Sequence, residues 1–235
     1  MVKYLGLVLL GLLGLHLFLR RIWFYRDPRR RPPAQADAII SPADGIVLYV
    51  RPIHHGEVEV EKAGRRIRVE EILRQPLPAG GDGWLVGVYM SPLNVHFNYA
   101  PIAGEVTRVA YTPTGVNLPM VGFLDYLRLT YLRRAVDLLA ARYRLVNERN
   151  TILLRQGDRM VAAVEICDRF VNRITCFVRE GDQVTAGQKL SFIDRGSQVD
   201  LVIFDARATV LCRPGDRVTG AETILALWGG ATSRA

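Results

Sequence analysis

The hydrophobic pattern at the start of the chain predicts a membrane anchor. Residues 4–19 contain no charged side chain, and Arg20, Arg21 and the aromatic residues 23–25 follow almost directly. A membrane-spanning helix needs about 20 apolar residues, and flanking arginines together with an aromatic belt extend this run to that length. A cleaved signal peptide would carry its positive charge before the apolar run. We therefore expect an uncleaved anchor, with the body after Arg31 on the cytoplasmic side of the cell membrane.

Beyond a proline-containing linker at residues 28–33, the pattern changes to short segments separated by glycine-containing turns. Short runs of this kind indicate strands, and the turn residues at 63–64 and 156–158 fit hairpins between them. The sequence thus predicts a mainly β body. The predicted strands are residues 45–51, 57–62, 65–69, 84–90, 104–111, 151–155, 159–167, 190–193 and 199–204.

Two internal repeats refine this picture. PADGIV at 42–47 recurs as PIAGEV at 101–106, and REGDQVT at 179–185 recurs as RPGDRVT at 213–219. Each half of a pseudo-symmetric β structure would then supply one copy of each hairpin corner. The pairing of these two motifs resembles the barrel-sandwich hybrid fold of biotinyl and lipoyl domains. Coincidental turn chemistry is the alternative, because glycine and aspartate are common in turns of any β protein.

One segment between the strands, residues 123–145, has helical periodicity. Apolar residues such as Leu124, Tyr131 and Leu138 recur at the spacing of one helix face, and arginines occupy much of the remainder. We expect a single amphipathic helical insertion. It would make a second membrane contact or pack onto the β core.

The charge distribution argues against nucleic-acid binding. The chain carries a net charge of +8, but residues 1–32 hold seven basic residues and one acidic residue, so +6 of that charge lies beside the anchor. Nucleic-acid binding needs basic residues spread over a folded face. Basic residues beside an apolar run fit a membrane surface better.

Cysteine and histidine spacing gives no metal or disulfide framework. Cys167, Cys176 and Cys212 have no CxxC spacing, so we expect them to be reduced core residues. The adjacent pair His54 and His55 has no carboxylate at ligand spacing and is expected in an exposed loop.

Three residues at the ends of predicted strands could combine into a catalytic group. Asp44, His96 and Ser197 would act as orienting group, base and nucleophile if their three segments converge. Histidine has the pKa for proton transfer near neutral pH.

Four segments carry a family resemblance. SPADG at 41–45, MSPLNVHFNYAP at 90–101, NERN at 147–150 and GSQVD at 196–200, in this order, resemble the phosphatidylserine decarboxylase family in its short prokaryotic form, which includes archaetidylserine decarboxylases. The resemblance implies a proenzyme that cuts itself between Gly196 and Ser197. It would leave a β chain of residues 1–196 and an α chain of residues 197–235, and Ser197 would become a pyruvoyl group. Residues 1–32 would be the anchor and 33–235 the decarboxylase domain.

The implied chemistry has two stages. Ser197 Oγ attacks the Gly196 carbonyl to form an ester, and elimination followed by hydrolysis gives the pyruvoyl group and ammonia. This group forms a Schiff base with the serine amine of phosphatidylserine and accepts electrons as CO2 leaves, giving phosphatidylethanolamine. A histidine then protonates the carbanion. Many members carry a second histidine where this chain has Tyr99, so His96 is expected to serve both steps.

The resemblance leaves several points open. The serine phospholipid has ester-linked or ether-linked chains, and a homodimer is plausible for the family.

Two other functions compete with the enzyme. A carrier domain would present a lysine for acylation at a hairpin tip, but Lys189 lies at the entrance of a predicted strand. A membrane-anchored lipoyl-like adaptor would need a long heptad hairpin, and the predicted helix is too short.

Overall fold

The computed structural model describes residues 2–60, 65–77, 81–115, 117–132, 136–169, 174–194 and 197–229. The protein is mainly β, as predicted. Its helices are α1 (Val2–Phe18), which continues into a π-helical turn (Leu19–Trp23), α2 (Val69–Leu73), α3 (Phe123–Thr130) and α4 (Tyr143–Val146). Its strands are β1 (Ala38–Ile40), β2 (Gly45–His54), β3 (Glu57–Val60), β4 (Arg65–Arg68), β5 (Gly83–Met90), β6 (Phe97–Tyr99), β7 (Gly104–Thr112), β8 (Arg149–Gln156), β9 (Arg159–Cys167), β10 (Ile174–Cys176), β11 (Gln183–Val184), β12 (Lys189–Ile193), β13 (Ser197–Ile203), β14 (Thr209–Val210), β15 (Arg217–Val218) and β16 (Ile224–Leu227).

The N-terminal helix projects its apolar side chains outward. Its leucines from Leu7 onward are about half exposed or more, and the window Gly6–Trp23 has a mean hydropathy of 1.5 with none of its residues buried. The helix is long and apolar enough to cross a membrane, a criterion that a signal sequence also meets. The predicted N-terminal apolar helix is therefore present.

One large antiparallel sheet organises the body. Its strands run in the order β11-β7-β8-β9-β13-β5-β2-β3-β4, and β15 pairs with β2. Strand β13 is buried along its whole length and lies between β5 and β9. Ser197, the first residue of β13, is opposite Met90 on one side and Cys167 on the other. The predicted nucleophile thus begins a central strand.

The two copies of each predicted repeat make equivalent strand pairings. Strand β15 pairs Val218 with Gly45 of β2, and β11 pairs Val184 with Gly104 of β7. At both glycines an added Cβ would lie within 2.2 Å of a backbone carbonyl oxygen of a neighbouring strand. Only glycine fits such an approach. The equivalent pairing confirms that the repeats are structural and not coincidental.

Each face of the large sheet carries its own buried layer. Val199 and Leu201 of β13 pack in one hydrophobic cluster, whereas Val202 packs in the other. The first face is covered by two small sheets, β1-β16-β14 and β10-β12-β6, and the second by α2, α3 and α4. Because side chains alternate along a strand, Ser197 lies on the face of the small sheets.

The single helix predicted over residues 123–145 is wrong. The structure has α3 and the short α4, and residues 133–135 between them are outside the described part of the chain. Asp137 Oδ1 accepts a hydrogen bond from Leu139 N at 2.9 Å, a local turn that competes with helix formation. Arg144, one of the arginines beside the apolar positions of the predicted helix, is fully buried in an ion pair with Asp200.

All nine predicted strands are present, and most differ from the prediction at one or both ends. Gly157 adopts a φ of +63° in the predicted turn between β8 and β9. The other predicted hairpin turn, at Ala63-Gly64, lies outside the described residues.

Candidate active site

Ser197 is fully buried at the start of β13, and its hydroxyl is bound only weakly. Ser197 Oγ lies 3.2 Å from Met90 Sδ. A thioether is a weak acceptor, so this contact holds the hydroxyl in place without a strong hydrogen bond. The preceding residues Arg195 and Gly196, and with them the predicted cleavage bond, lie outside the described residues.

His96 is a buried, neutral imidazole. Its ring packs on Phe24 with 4.0 Å between ring centroids, and burial lowers its pKa to about 3. The Asn94 backbone opposes this shift, but neither ring nitrogen makes a hydrogen bond to the described residues. The backbone carbonyl of His96 accepts from Ile193 N at 3.1 Å and fixes the loop. The ring nitrogens therefore have free lone pairs among the described residues, but burial disfavours their protonation.

Asp44 is occupied by other partners. Its Oδ1 accepts from Arg30 Nη2 at 2.7 Å and from Gly220 N at 2.8 Å. Arg30 also donates to the Tyr99 hydroxyl at 3.3 Å. The expected hydrogen bond between Asp44 and His96 is absent from the described residues. The structure therefore joins Asp44 to Tyr99 through Arg30 and does not join Asp44 to His96.

Residues 23–31, here called the N-terminal arm, pack over residues 91–96, the loop that ends at His96 and is here called the histidine loop. Trp23 Nε1 and Arg26 Nη2 donate to the carbonyl of Leu93 at 3.2 and 2.7 Å, and Arg26 Nη1 donates to that of Asn94 at 3.3 Å. Sequence reasoning assigned this segment to a membrane belt and a linker. The signals were its aromatic and basic composition, which fits both roles, and the segment WFYRDP at 23–28, which also resembles the phosphatidylserine decarboxylase family.

Glu165 is a further buried polar residue that sequence reasoning missed. Its carboxylate accepts hydrogen bonds from Asn98 Nδ2 at 3.1 Å, from Asn150 Nδ2 at 2.9 Å and from the Ser191 hydroxyl. Burial raises its pKa to about 7 against these three hydrogen bonds, which lower it. The available signal was a lone glutamate inside the otherwise apolar strand VAAVEIC at 161–167.

A second buried network supports β13 from the opposite face. Asp200 pairs with Arg144 at 2.7 Å and accepts from the Tyr49 hydroxyl at 2.6 Å and from Gln198 Nε2 at 2.6 Å. Tyr143 donates to Gln198 Oε1. These contacts hold the residue directly after Ser197, and so fix where the strand begins.

Comparison with known proteins decides the family. The phosphatidylserine decarboxylase family model matches residues 17–226, which is most of the chain. This chain belongs to the phosphatidylserine decarboxylase family. The four motif segments of the sequence analysis lie within the matched range, so the resemblance drawn from them is confirmed.

Individual relatives of this decarboxylase family member cover most of its length. A provisionally named archaetidylserine decarboxylase proenzyme of Methanocaldococcus jannaschii is 33% identical over 211 residues, 90% of this chain and 91% of that protein. A phosphatidylserine decarboxylase proenzyme of Pelodictyon phaeoclathratiforme is 31% identical over 205 residues, 87% of this chain and 77% of that protein. One of Saccharopolyspora erythraea is 33% identical over 217 residues, 92% and 76% respectively.

Proposed function

We propose that this chain is a serine-phospholipid decarboxylase precursor that cuts itself between Gly196 and Ser197. The products would be a β chain of residues 1–196 and an α chain of residues 197–235. The observation that carries the proposal is the position of Ser197. This chain belongs to the phosphatidylserine decarboxylase family, and Ser197 is the first residue of its central strand β13. Ser197 is fully buried, and its hydroxyl has no strong hydrogen-bond acceptor among the described residues.

His96 is the proposed base for self-cleavage. Ser197 Oγ loses its proton to an imidazole nitrogen and bonds to the Gly196 carbonyl carbon. The amide C–N bond then breaks, and the Ser197 nitrogen takes the proton, so the peptide becomes an ester. The imidazole is neutral and its nitrogens have no hydrogen-bond partner among the described residues, so a lone pair is free for this proton, but burial makes the imidazolium costly. Asp44 remains the proposed orienting group, but it would have to exchange Arg30 for His96 to bond to it.

The residues around Ser197 fit a pyruvoyl group derived from it. Both ring nitrogens of His96 and the Asn98 Oδ1 atom are buried polar atoms without a hydrogen-bond partner in the described residues, and buried polar groups usually have one. A small polar group can satisfy them. A pyruvoyl group supplies an electron sink for decarboxylation. His96 is the residue that would hold or deliver a proton beside it.

The link between anchor and site supports a lipid substrate at the cell membrane. The π-helical turn ends at Trp23, and the next residue, Phe24, contacts His96. A site so close to an apolar helix suits a substrate that stays in the bilayer.

The arginines after the helix favour a cytoplasmic position of the body. Exposed Phe123 and Leu124 of α3 are the proposed second membrane contact. A homodimer belongs to the same proposal.

The pseudo-symmetric hairpin corners support a barrel-sandwich hybrid core. The pairing of β15 with β2 repeats that of β11 with β7, in the motif arrangement that resembles biotinyl and lipoyl domains. The large sheet and helices α2, α3 and α4 would then be additions to that core.

An ether-linked serine lipid is the second candidate substrate. This chain covers 91% of the archaetidylserine decarboxylase relative, but 76% and 77% of two phosphatidylserine decarboxylase relatives. The similarity to this relative is the reason to test an ether-linked lipid beside the ester-linked one. The headgroup chemistry is the same in both cases.

Intact-mass analysis of the purified full chain in detergent tests the proposal. We expect two chains that meet at residues 196 and 197, with a blocked amino terminus on the smaller one, and a single chain for Ser197→Ala. CO2 release from serine phospholipids with ester-linked and ether-linked chains then identifies the substrate. Splitting of Ser197→Ala at the same bond would refute the assignment of the nucleophile.

A further inference from the structure

Glu165 is a buried carboxyl group without a cationic partner in the described residues. It lies two residues before the end of β9 with no exposed surface, and its three hydrogen-bond donors are two amides and a hydroxyl. By contrast, the buried Asp200 on the other face is paired with Arg144. A carboxylate is costly to bury without a positive partner. Such a group therefore needs an explanation.

The sheet register puts Glu165 beside Ser197. Glu165 is opposite Val199 of β13, and Cys167 is opposite Ser197. Residues two apart on a strand share a face, so Glu165 and Ser197 are on the same face of the large sheet. They are diagonal neighbours across two adjacent strands, a distance within reach of a long side chain.

Asn98 links Glu165 to the histidine loop. Asn98 is opposite Ser191 in the β6–β12 ladder, and the bond from Ile193 N to the His96 carbonyl extends that ladder by two residues. His96 and Asn98 therefore share the inward face of the small sheet. Asn98 Nδ2 donates to Glu165, while Asn98 Oδ1 and both His96 nitrogens have no partner in the described residues. These residues form one buried polar layer between the two sheets.

Self-cleavage would place a positive charge in this layer. When His96 takes the Ser197 proton it becomes an imidazolium, and both burial and the positive charge of Arg26 on the N-terminal arm oppose that form. Asp44 is engaged with Arg30, and Glu165 is a fully buried carboxyl of this layer that can offset the charge. The other groups that face Glu165 among the described residues are neutral. They are Asn98 of β6, Asn150 of β8, Cys167 of β9, Ser191 of β12 and Cys176 of β10, and burial raises the pKa of both thiols.

We propose that Glu165 is a positioning residue for self-cleavage, which fixes Asn98 in the buried layer and whose ionised carboxylate stabilises the imidazolium of His96. The role rests on the proposed function. Glu165 takes no part in the bond changes. The proton passes from Ser197 Oγ to His96 and then to the leaving nitrogen of Ser197. Glu165 stays an anion throughout and lowers the free energy of the charged intermediate state.

This role predicts a specific pH dependence. With a pKa of about 7, Glu165 is mostly neutral at pH 6 and mostly ionised at pH 8, whereas His96 is neutral over that range. Chain splitting should therefore accelerate between these two values. Glu165→Gln keeps the size of the side chain and a hydrogen-bond acceptor but cannot ionise. If ionisation of Glu165 speeds splitting by the tenfold that corresponds to one pKa unit, the ratio of wild-type to variant rate rises from about 2 at pH 6 to about 9 at pH 8.

The experiment follows the splitting of newly made full-length chain. Protein is pulse-labelled by cell-free translation into lipid nanodiscs, shifted to pH 6, 7 or 8, and followed on denaturing gels. Glu59→Gln, which changes an exposed carboxyl on β3, is the matched control and should keep a ratio of 1 at each pH. A purely structural role of Glu165 would slow splitting by the same factor at all three pH values, and that result overturns the proposal.

A second variant covers the case in which Glu165→Gln does not fold. Asn150→Asp places another carboxyl beside Glu165, and like charges raise the pKa of the pair. The midpoint of the acceleration should move to higher pH, and an unchanged midpoint contradicts the role. If the proposed function itself is wrong, the wild-type chain does not split at any pH, and this result differs from splitting without the expected pH dependence. That result removes the role of Glu165 as well.

Discussion

Phe24 packs its ring on the imidazole of His96, with 4.0 Å between the ring centroids. Phe24 is the residue after the π-helical turn that ends α1, and it is only 6% exposed. The contact shields the imidazole from water, and that burial is what lowers its pKa. The N-terminal arm is therefore a part of the candidate site as well as the end of the anchor.

Two truncations should separate anchoring from self-cleavage. Removal of residues 1–18 takes away α1 but leaves Phe24 and Arg30, so we expect weaker membrane attachment with chain splitting retained. Removal of residues 1–32 also takes the arm contacts to His96 and Asp44, so splitting should be lost as well. Sedimentation with vesicles and denaturing gels measure the two effects. Equal splitting of both truncated chains would show that the arm is dispensable.

Helix α3 should carry membrane binding that remains after removal of residues 1–18. Phe123 and Leu124 are 76% and 67% exposed, and apolar side chains on an amphipathic helix insert into the interface. We expect Phe123→Ser with Leu124→Ser to abolish the residual binding to vesicles without changing chain splitting. Tyr111→Ser, on an exposed position of β7, is the control. Residual binding that survives the double change places the contact elsewhere.

His96 and Asp44 should differ in the size of their effects on self-cleavage. His96→Ala removes the proposed base, and we expect splitting to slow by about 10²–10⁴-fold, with CO2 release impaired as well in whatever fraction splits. Asp44→Asn should slow splitting by less, because Asp44 contacts Arg30 and not His96. Time courses on denaturing gels give both rates. A loss in Asp44→Asn as large as that in His96→Ala would mean that Asp44 reaches His96 in the reacting precursor.

His96 and Glu165 should act on stability with opposite signs as pH changes. The folded pKa of His96, about 3, is below its ordinary 6.5, so the unfolded chain binds the extra proton and stability is lost as pH falls through this window. The folded pKa of Glu165, about 7, is above its ordinary 4.5, so its contribution to stability is lost as pH rises through 7. Each slope is at most about 1.4 kcal/mol per pH unit.

Thermal unfolding in detergent between pH 4.5 and pH 8 measures these slopes. Ser197→Ala is the reference, because it remains one chain. Adding His96→Gln should make the protein less sensitive to acid, whereas adding Glu165→Gln should make it less sensitive to the rise toward pH 8. If both substitutions changed the slope of stability against pH in the same direction, the pKa of one of the two groups would not be shifted by burial in the way described.

The ion pair between Arg144 and Asp200 should be important for stability. Both side chains are fully buried, and removing one partner leaves an unpaired charge, which costs about 3–5 kcal/mol. We expect Asp200→Asn to lower the free energy of unfolding by that amount. Glu105→Gln breaks the exposed pair with Arg155 and should cost about 1 kcal/mol or less. Denaturant unfolding of the two variants in the Ser197→Ala chain makes the comparison, and similar losses would refute it.

Nine of the sixteen strands in the described residues, and the repeats, were predictable because their signals are local. Alternation of apolar residues and glycine at hairpin corners depend on a few neighbouring positions, and the equivalent pairs at Gly45 and Gly104 follow from them. The helix 123–145 was not predictable in this way. Arg144 fits an exposed helix face by spacing alone, and its partner Asp200 lies 56 residues further along the chain.

The residues of the candidate site also differ in whether the local sequence reveals them. Ser197 and His96 lie in motifs that can be read in sequence, whereas the burial of Glu165 depends on donors from three other strands. Phe24 was misassigned for a related reason. An aromatic residue after an apolar helix is typical of a membrane interface, and nothing in the local sequence reveals a ring that packs on a histidine 72 residues away.

The central position of β13 has a consequence for the cleaved protein. A cut before Ser197 would create a new chain terminus inside the large sheet, yet β13 stays hydrogen-bonded to β5 and β9 along its whole length. The small fragment also contributes β14, β15 and β16, which pair with strands of the large fragment or with one another. The two products would thus remain associated as one folded unit. Once unfolded, however, they would have to find each other by diffusion, so refolding would depend on protein concentration although folding of the precursor does not.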